Sequence, residues 1–165
     1  MVAAMAKRPR KYWLMKSEPD VYSIDDMEKD GEEEWEGVRN YQARNFMRDM
    51  KEGDLVIFYH SNAKPPGAVG VVKVVGEAHP DREQFDPKSK YYDPKSKKDD
   101  PRWDVVDVGF VEKFPEIVPL KALKEAPELE GMWVTRKGMR ISVTPVEKAH
   151  FRAVLKMAGA KTKVR

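Results

Sequence analysis

Within twelve residues, Trp35-Glu36-Gly37-Val38-Arg39-Asn40-Tyr41-Gln42-Ala43-Arg44-Asn45-Phe46 gathers an indole, a glycine, arginines and side-chain amides. Beyond Asn40, the apolar residues Ala43, Phe46, Met47 and Met50 recur three to four apart, which predicts an amphipathic helix to about Met50. Asn40 stands where an N-cap belongs. A helix start presents unpaired backbone N–H groups and partial positive charge, which suits an anionic or carbonyl-rich ligand. Trp35 would supply a flat apolar wall, Asn40 a donor beside an acceptor, and Arg39 a charge for phosphate or an anchor for the loop. A purely structural role also fits, in which Asn40 only caps and Trp35 only packs.

Machinery for bond chemistry is thin. Of the three histidines, only His60 lies at a strand end among polar neighbours; His79 precedes a proline and His150 falls in the last helix. Ser61 cannot form a triad with His60 by adjacency, and no Gly-x-Ser-x-Gly elbow exists. The sequence holds no His-Glu-x-x-His, P-loop or Gly-x-Gly-x-x-Gly motif. With no cysteine, disulfides, thiolate metal sites and a cysteine nucleophile are excluded. The acids from Asp25 to Glu36, opposed only by Lys29, lack the alternation of a calcium loop and read as a solvated helix face and loop. No catalysis, metal or cofactor is expected.

A binding pocket is easier to assemble. Trp13, Trp35, Tyr59 and the pair Tyr91-Tyr92 are available as aromatic surfaces, while Trp133 and Trp103 are expected to pack. Ser17, Asn40, His60, Ser61 and Ser142 fall at element boundaries, where side chains turn outward from a scaffold. Aromatic walls with a few convergent polar groups suit a planar base, stacked on its faces and hydrogen-bonded at its edge.

The elements that must position these residues begin with a strand at Tyr12–Lys16, stopped by Pro19. Ser23 and Asp26 mark a capped helix start. Leu55–Tyr59 reads as a buried strand running into His60-Ser61-Asn62, and Val69–Val75 as its neighbour across a Pro-Gly loop. His79 to Arg102 is a polar excursion with Pro80, Pro87, Pro94 and Pro101; Phe85, Tyr91 and Tyr92 equip it to cover something apolar. Val105–Phe114 alternates as a strand, Leu120–Ala126 reads as a short helix, and Met132–Val134 and Ile141–Val143 as strand pieces. Pro145 and Glu147 open a last helix to about Met157. Short strands with helices inserted between them suggest an α+β fold with a small, partly closed β-barrel, not a parallel βαβ sheet.

The net charge of +3 over 165 residues is unevenly distributed. Eight of the 31 Lys and Arg residues lie in 1–11 and 156–165, which hold no acid, so residues 12–155 carry 23 basic against 28 acidic residues. A mildly acidic body argues against broad binding to duplex phosphates but allows a pocket with local charge. The division expected is a basic, disordered lead over 1–11, one domain over 12–158 and a basic tail over 159–165. No apolar run approaches the roughly 18 residues of a membrane span, and no signal-peptide core is present. No membrane partner is expected.

Several longer runs, in order, resemble the EVE domain family. They are Tyr12-Trp13-Leu14-Met15-Lys16-Ser17-Glu18-Pro19, the stretch Trp35 to Asn45, Tyr59-His60-Ser61-Asn62, Tyr92-Asp93-Pro94 and Arg140-Ile141-Ser142-Val143-Thr144-Pro145. The resemblance spans about Tyr12 to Ala158. It implies a PUA-like fold, a small partly closed barrel with flanking helices, related to the YTH readers of methylated adenine. It also implies binding of a modified base in DNA or RNA, without established catalysis or a required metal. Carried over residue by residue, the implied pocket takes in Trp13, Lys16, Ser17, Val38, Arg39, Asn40, His60, Ser61 and Ser142, with Trp35 behind it. Asn40 and Ser17 would then meet the base edge and Trp13 and Tyr59 its faces. Arg39 and Lys16 would meet phosphate or anchor a loop. The chain is compact after Pro19, lacking the longer insertion of the family's nuclear animal member, and so resembles a stand-alone bacterial member. That implies a cytoplasmic monomer, or a nuclear protein in a eukaryote.

The expected function is a reader that holds a modified base, a modified cytosine foremost. Two alternatives stay open: an enzyme or restriction- or RNA-modification-associated factor acting on such bases, and a pocket for a free nucleoside.

Overall fold

The computed structural model describes residues 8–164. Strand β1 (Tyr12–Ser17) is apolar on both faces because both faces are covered. Tyr12 and Leu14 join one core with Phe151, Val154 and Leu155 of helix α4 (Lys148–Ala158). Trp13 and Met15 join a second core under helices α1 (Ile24–Asp30) and α2 (Tyr41–Asp49). The two-residue side-chain period of a strand makes this division.

β1 runs parallel to β3 (Leu55–His60) and antiparallel to β7 (Val143–Val146). β3 pairs with β4 (Gly67–Val74), β4 with the sixteen-residue β6 (Asp104–Pro119), and β6 with β2 (Glu32–Trp35) and the short β5 (His79–Pro80). The order β2-β6-β4-β3-β1-β7 leaves β2 and β7 as ends that do not pair with each other. Register shifts between β4 and β6 mark bulges, which strengthen twist and curl the sheet into a partly closed barrel. α1 seats on this sheet at Gly70, where an added Cβ would stand 2.6 Å from the Ile24 side chain.

The capping box at α1 forms as its sequence predicts: Asp26 N donates to Ser23 Oγ (3.1 Å) and Ser23 N to Asp26 Oδ2 (2.9 Å). The segment His79–Arg102 keeps a fixed course because a buried amide ties it. Gln84 Nε2 donates to the carbonyls of Asp81 and Trp103, and its Oε1 accepts from Ser96 Oγ and Trp103 N. Trp103 Nε1 donates to Asp93.

Some elements differ from expectation. Glu32–Glu34, expected on a solvated helix face and loop, form edge strand β2, whose charge discourages further edge pairing. Met132–Val134, expected as a strand, bends into a 3-10 turn that buries Met132 and Val134 on one side. The ladder of β7 starts only at Val143. Of the basic ends, residues 1–7 and 165 lie outside the described residues. Arg8 is held on Asp54, and Lys161 and Thr162 donate to the Glu112 carboxylate. A short helix α3 (Leu120–Glu125) follows β6.

Candidate functional site

A cleft of about 770 Å³ opens between the two ends of the curled sheet. One side is built by β2 and the segment after it, Glu33 to Arg39; the other by Lys16 and Ser17 of β1, by Ser61, and by Arg140 and Ser142 ahead of β7. Lys90 and Tyr91 of the long loop complete the rim.

Its apolar surface comes from Val21, Tyr22, Trp35, Val38 and Tyr91. Trp35 is 8% exposed and rests on Phe58, ring centroids 5.2 Å apart at 72°. Tyr91 lies across Gly37, whose φ of +82° and lack of a Cβ allow the approach; a Cβ there would meet the phenol ring at 2.6 Å. Arg39 secures this arrangement. Its Nε and Nη2 donate to the Tyr91 carbonyl (3.0 and 2.9 Å), and its Nη1 to Asp81 Oδ2 (3.0 Å), which also accepts from Gly37 N. The guanidinium carbon lies 5.4 Å from the Tyr91 ring centroid and 5.6 Å from that of Trp103. Of the two roles open to Arg39, its hydrogen bonds make it the loop anchor.

The polar lining is likewise held in place. Lys16 N donates to Ser142 O and Ser61 N to Ser17 O, joining three strand ends around one corner. Ser17 Oγ donates to Tyr22 O at 2.6 Å. Lys16 Nζ donates to Met139 O, and burial holds its ammonium below the usual lysine value. Across the cleft, burial lifts the Glu36 carboxyl above its ordinary value, and the charges of Glu83, Asp81, Glu33 and Glu34 add to the rise. Among the described residues, no three His, Asp or Glu side chains cluster to hold a metal ion.

Of the residues singled out from the sequence, Lys16, Ser17, Trp35, Val38, Arg39, Ser61 and Ser142 come together here. Trp13, Asn40, Tyr59 and His60 lie elsewhere, each for a physical reason. Trp13 is buried under α2 and donates Nε1 to Asp54 Oδ2 (3.0 Å), so its ring is no free wall. Tyr59 alternates with Phe58 along β3 and points into the opposite core. Asn40 caps α2, its Oδ1 accepting from Ala43 N (2.9 Å). His60 Nε2 accepts from Ile24 N (3.1 Å) at the start of α1. Tyr91, offered by the sequence only as one of a pair of loop aromatics, joins the lining, as do Glu18, Val21, Tyr22, Glu33, Glu34, Glu36, Gly37, Lys90 and Arg140, which were not placed in the pocket. The signals that pointed nearest were Gly37's place in the central stretch and the aromatics of the long loop.

The contact at His60 carries a pH signature. Burial holds its imidazole below the ordinary histidine value, with Asp25 opposing and Lys113 reinforcing the shift. The neutral ring accepts the Ile24 N–H, so its stabilisation is complete above the ordinary value. It is lost as pH falls through that value towards the lower folded one, and no further below it. In thermal melts from pH 8 to 5, His60→Gln, which keeps an acceptor but cannot charge, is expected to lose less stability than the native chain. Parallel pH profiles would remove His60 as the cause.

The family model for the EVE domain matches residues 11–157. Thymocyte nuclear protein 1 of Gallus gallus is 41% identical over 169 residues, covering 91% of this chain and 69% of that protein. A crystal structure of a Pseudomonas syringae protein superposes with a TM-score of 0.87 at 46% identity, covering 89% of this chain and 99% of that one. The human THYN1 protein, crystallised in complex with DNA containing 5-methylcytosine, superposes with a TM-score of 0.85 at 40% identity, covering 93% of this chain and 99% of that one. The matched residues begin just ahead of β1 and end in the last turn of α4, taking in every segment that frames the cleft: the chain belongs to the EVE domain family.

Proposed function

We propose that this chain is a non-catalytic reader that holds one modified base, of the 5-methylcytosine class in DNA, in the cleft between its sheet ends. The observation that carries the reading is the lining itself. Trp35, Val38 and Tyr91 offer apolar faces opposite a corner where Lys16, Ser17, Ser61 and Ser142 meet, in about 770 Å³. That volume lies within the roughly 300–1,000 Å³ of small-ligand pockets. The human relative's complex with 5-methylcytosine-containing DNA supports the choice of base class. Catalysis has little to work with, because His60 is occupied at the start of α1 and does not line the cleft. No described helix is long and apolar enough to cross a membrane.

Extruding a base from a duplex costs a few kcal/mol, so single strands and weakened pairs are expected to bind best. Burying the added methyl contributes about 0.8 kcal/mol, roughly a fourfold preference. The test is a titration of oligonucleotides that differ at one position, cytosine against 5-methylcytosine and other altered bases. A preference of about fourfold or more for one modified strand is expected. Equal affinity across the set would defeat the reader assignment, while competition only by free nucleoside would move it to a small-molecule pocket.

A further inference from the structure

The cations around the cleft fall into two groups. Arg39 is held by Asp81, and Arg82 by Glu34; Lys16 is sunk in the corner with its Nζ on the Met139 carbonyl. Lys90 and Arg140 differ from these. Both line the cleft, both are exposed, and they come from segments far apart in sequence. Neither forms an ion pair with an acid among the described residues. Lys90 Nζ stands 5.1 Å from the centroid of the Tyr91 ring, on the same loop that covers Gly37. Arg140 stands two residues ahead of Ser142, in the segment whose Met139 carbonyl receives Lys16. Glu18, Glu33, Glu34 and Glu36 also line the cleft.

We propose that Lys90 and Arg140 hold the phosphodiester groups flanking the base in the cleft, and that the acidic rim keeps the backbone on the path between them. The proposal rests on the reading of the cleft as a base pocket and adds the route of the strand. It follows from charge: a phosphate is attracted to an exposed cation with no partner, and a rim of carboxylates repels it. Because the body between the basic ends is net acidic, attraction must be local, and few phosphates are engaged. Each single-strand phosphate neutralised contributes about −0.7 to the slope of log affinity against log salt concentration.

The experiment measures that slope for a short single strand carrying one 5-methylcytosine and for its unmodified twin. The proteins are the native chain, Lys90→Gln, Arg140→Gln, the double variant and Lys121→Gln on α3. Each cleft variant is expected to make the slope less steep by about 0.7 on both strands and the double variant by about 1.4, with Lys121→Gln unchanged. The double variant keeping the native slope would overturn the proposal, as would Lys121→Gln flattening it equally. A native chain that binds both strands alike, while its slope still depends on Lys90 and Arg140, would remove the base reader and leave the phosphate contacts standing.

Discussion

Asp54→Asn is expected to destabilise the fold by about 3 kcal/mol. Asp54 is 1% exposed at the turn into β3 and receives five hydrogen bonds. Arg8 Nη1 and Lys11 N donate to Oδ1; Arg8 Nη2, Trp13 Nε1 and Lys51 N donate to Oδ2. The carboxylate thereby joins the start of β1, the turn before β3 and the indole under α2. An asparagine presents one acceptor and turns an amide N–H₂ towards donors that cannot accept. Buried donors are left unpaired, and the Arg8 charge loses its partner. Loss of one partner of a fully buried ion pair costs about 3–5 kcal/mol; Arg8 is partly exposed, which places the expectation at the lower end. For a domain this size the melting temperature should fall by roughly 6–12 °C. Burial alone would raise this carboxyl's pKa, but hydrogen bonds from Arg8, Trp13, Lys11 and Lys51 outweigh it and hold the group below its ordinary value. The stabilisation is therefore complete above the ordinary carboxylate range and is lost as pH falls through the lower folded value. Urea unfolding at neutral pH should separate native and variant clearly, and the gap should shrink in strong acid. A gap of under 1 kcal/mol at neutral pH would show that the network relaxes around the amide.

How far the sequence disclosed this arrangement depends on the range of the interaction. The cap at Ser23 and Asp26 is a contact between residues three apart, and the apolar run Leu55–Tyr59 is buried on both faces; both were legible from local pattern. The edge strand Glu32–Trp35 was not, because β6 imposes its extended backbone on residues whose acidic side chains carry no strand period. Trp13, Tyr59 and Trp35 show the same limit within the site. Each is an aromatic at or near a strand, and only the packing decides which is sealed under α2, which faces α4 and which lines the cleft. Asn40 illustrates competition for one side chain: the amide oxygen that could address a ligand accepts instead from the first turn of its own helix. The tie between Arg39 and Tyr91 crosses 52 positions of sequence, through a loop whose shape rests on the buried Gln84 amide. Nothing in the spacing around Arg39 could reveal it.

That tie makes Gly37→Ala the change expected to affect binding most for a single added carbon. The residue holds a φ of +82°, where an L side chain costs about 1–2 kcal/mol. Its new Cβ would also stand 2.6 Å from Cζ and 2.9 Å from both Cε atoms of the Tyr91 ring, well inside contact distance. The ring must move, because Tyr91's own backbone carbonyl is pinned by two guanidinium hydrogen bonds from Arg39 while its side chain is not. If Tyr91 supplies one face of the base stack, its displacement forfeits about 1–3 kcal/mol, or roughly 5- to 150-fold in affinity for the modified strand. Tyr91→Ala should lose a similar factor without the strain at Gly37. The decisive measurement is the double variant. Once the ring is gone, the alanine methyl has nothing to collide with, so Gly37→Ala with Tyr91→Ala should bind no worse than Tyr91→Ala alone. Additive losses would mean that Gly37 acts on the ligand directly, through its own backbone. Native affinity in either single variant would remove Tyr91 from the stack.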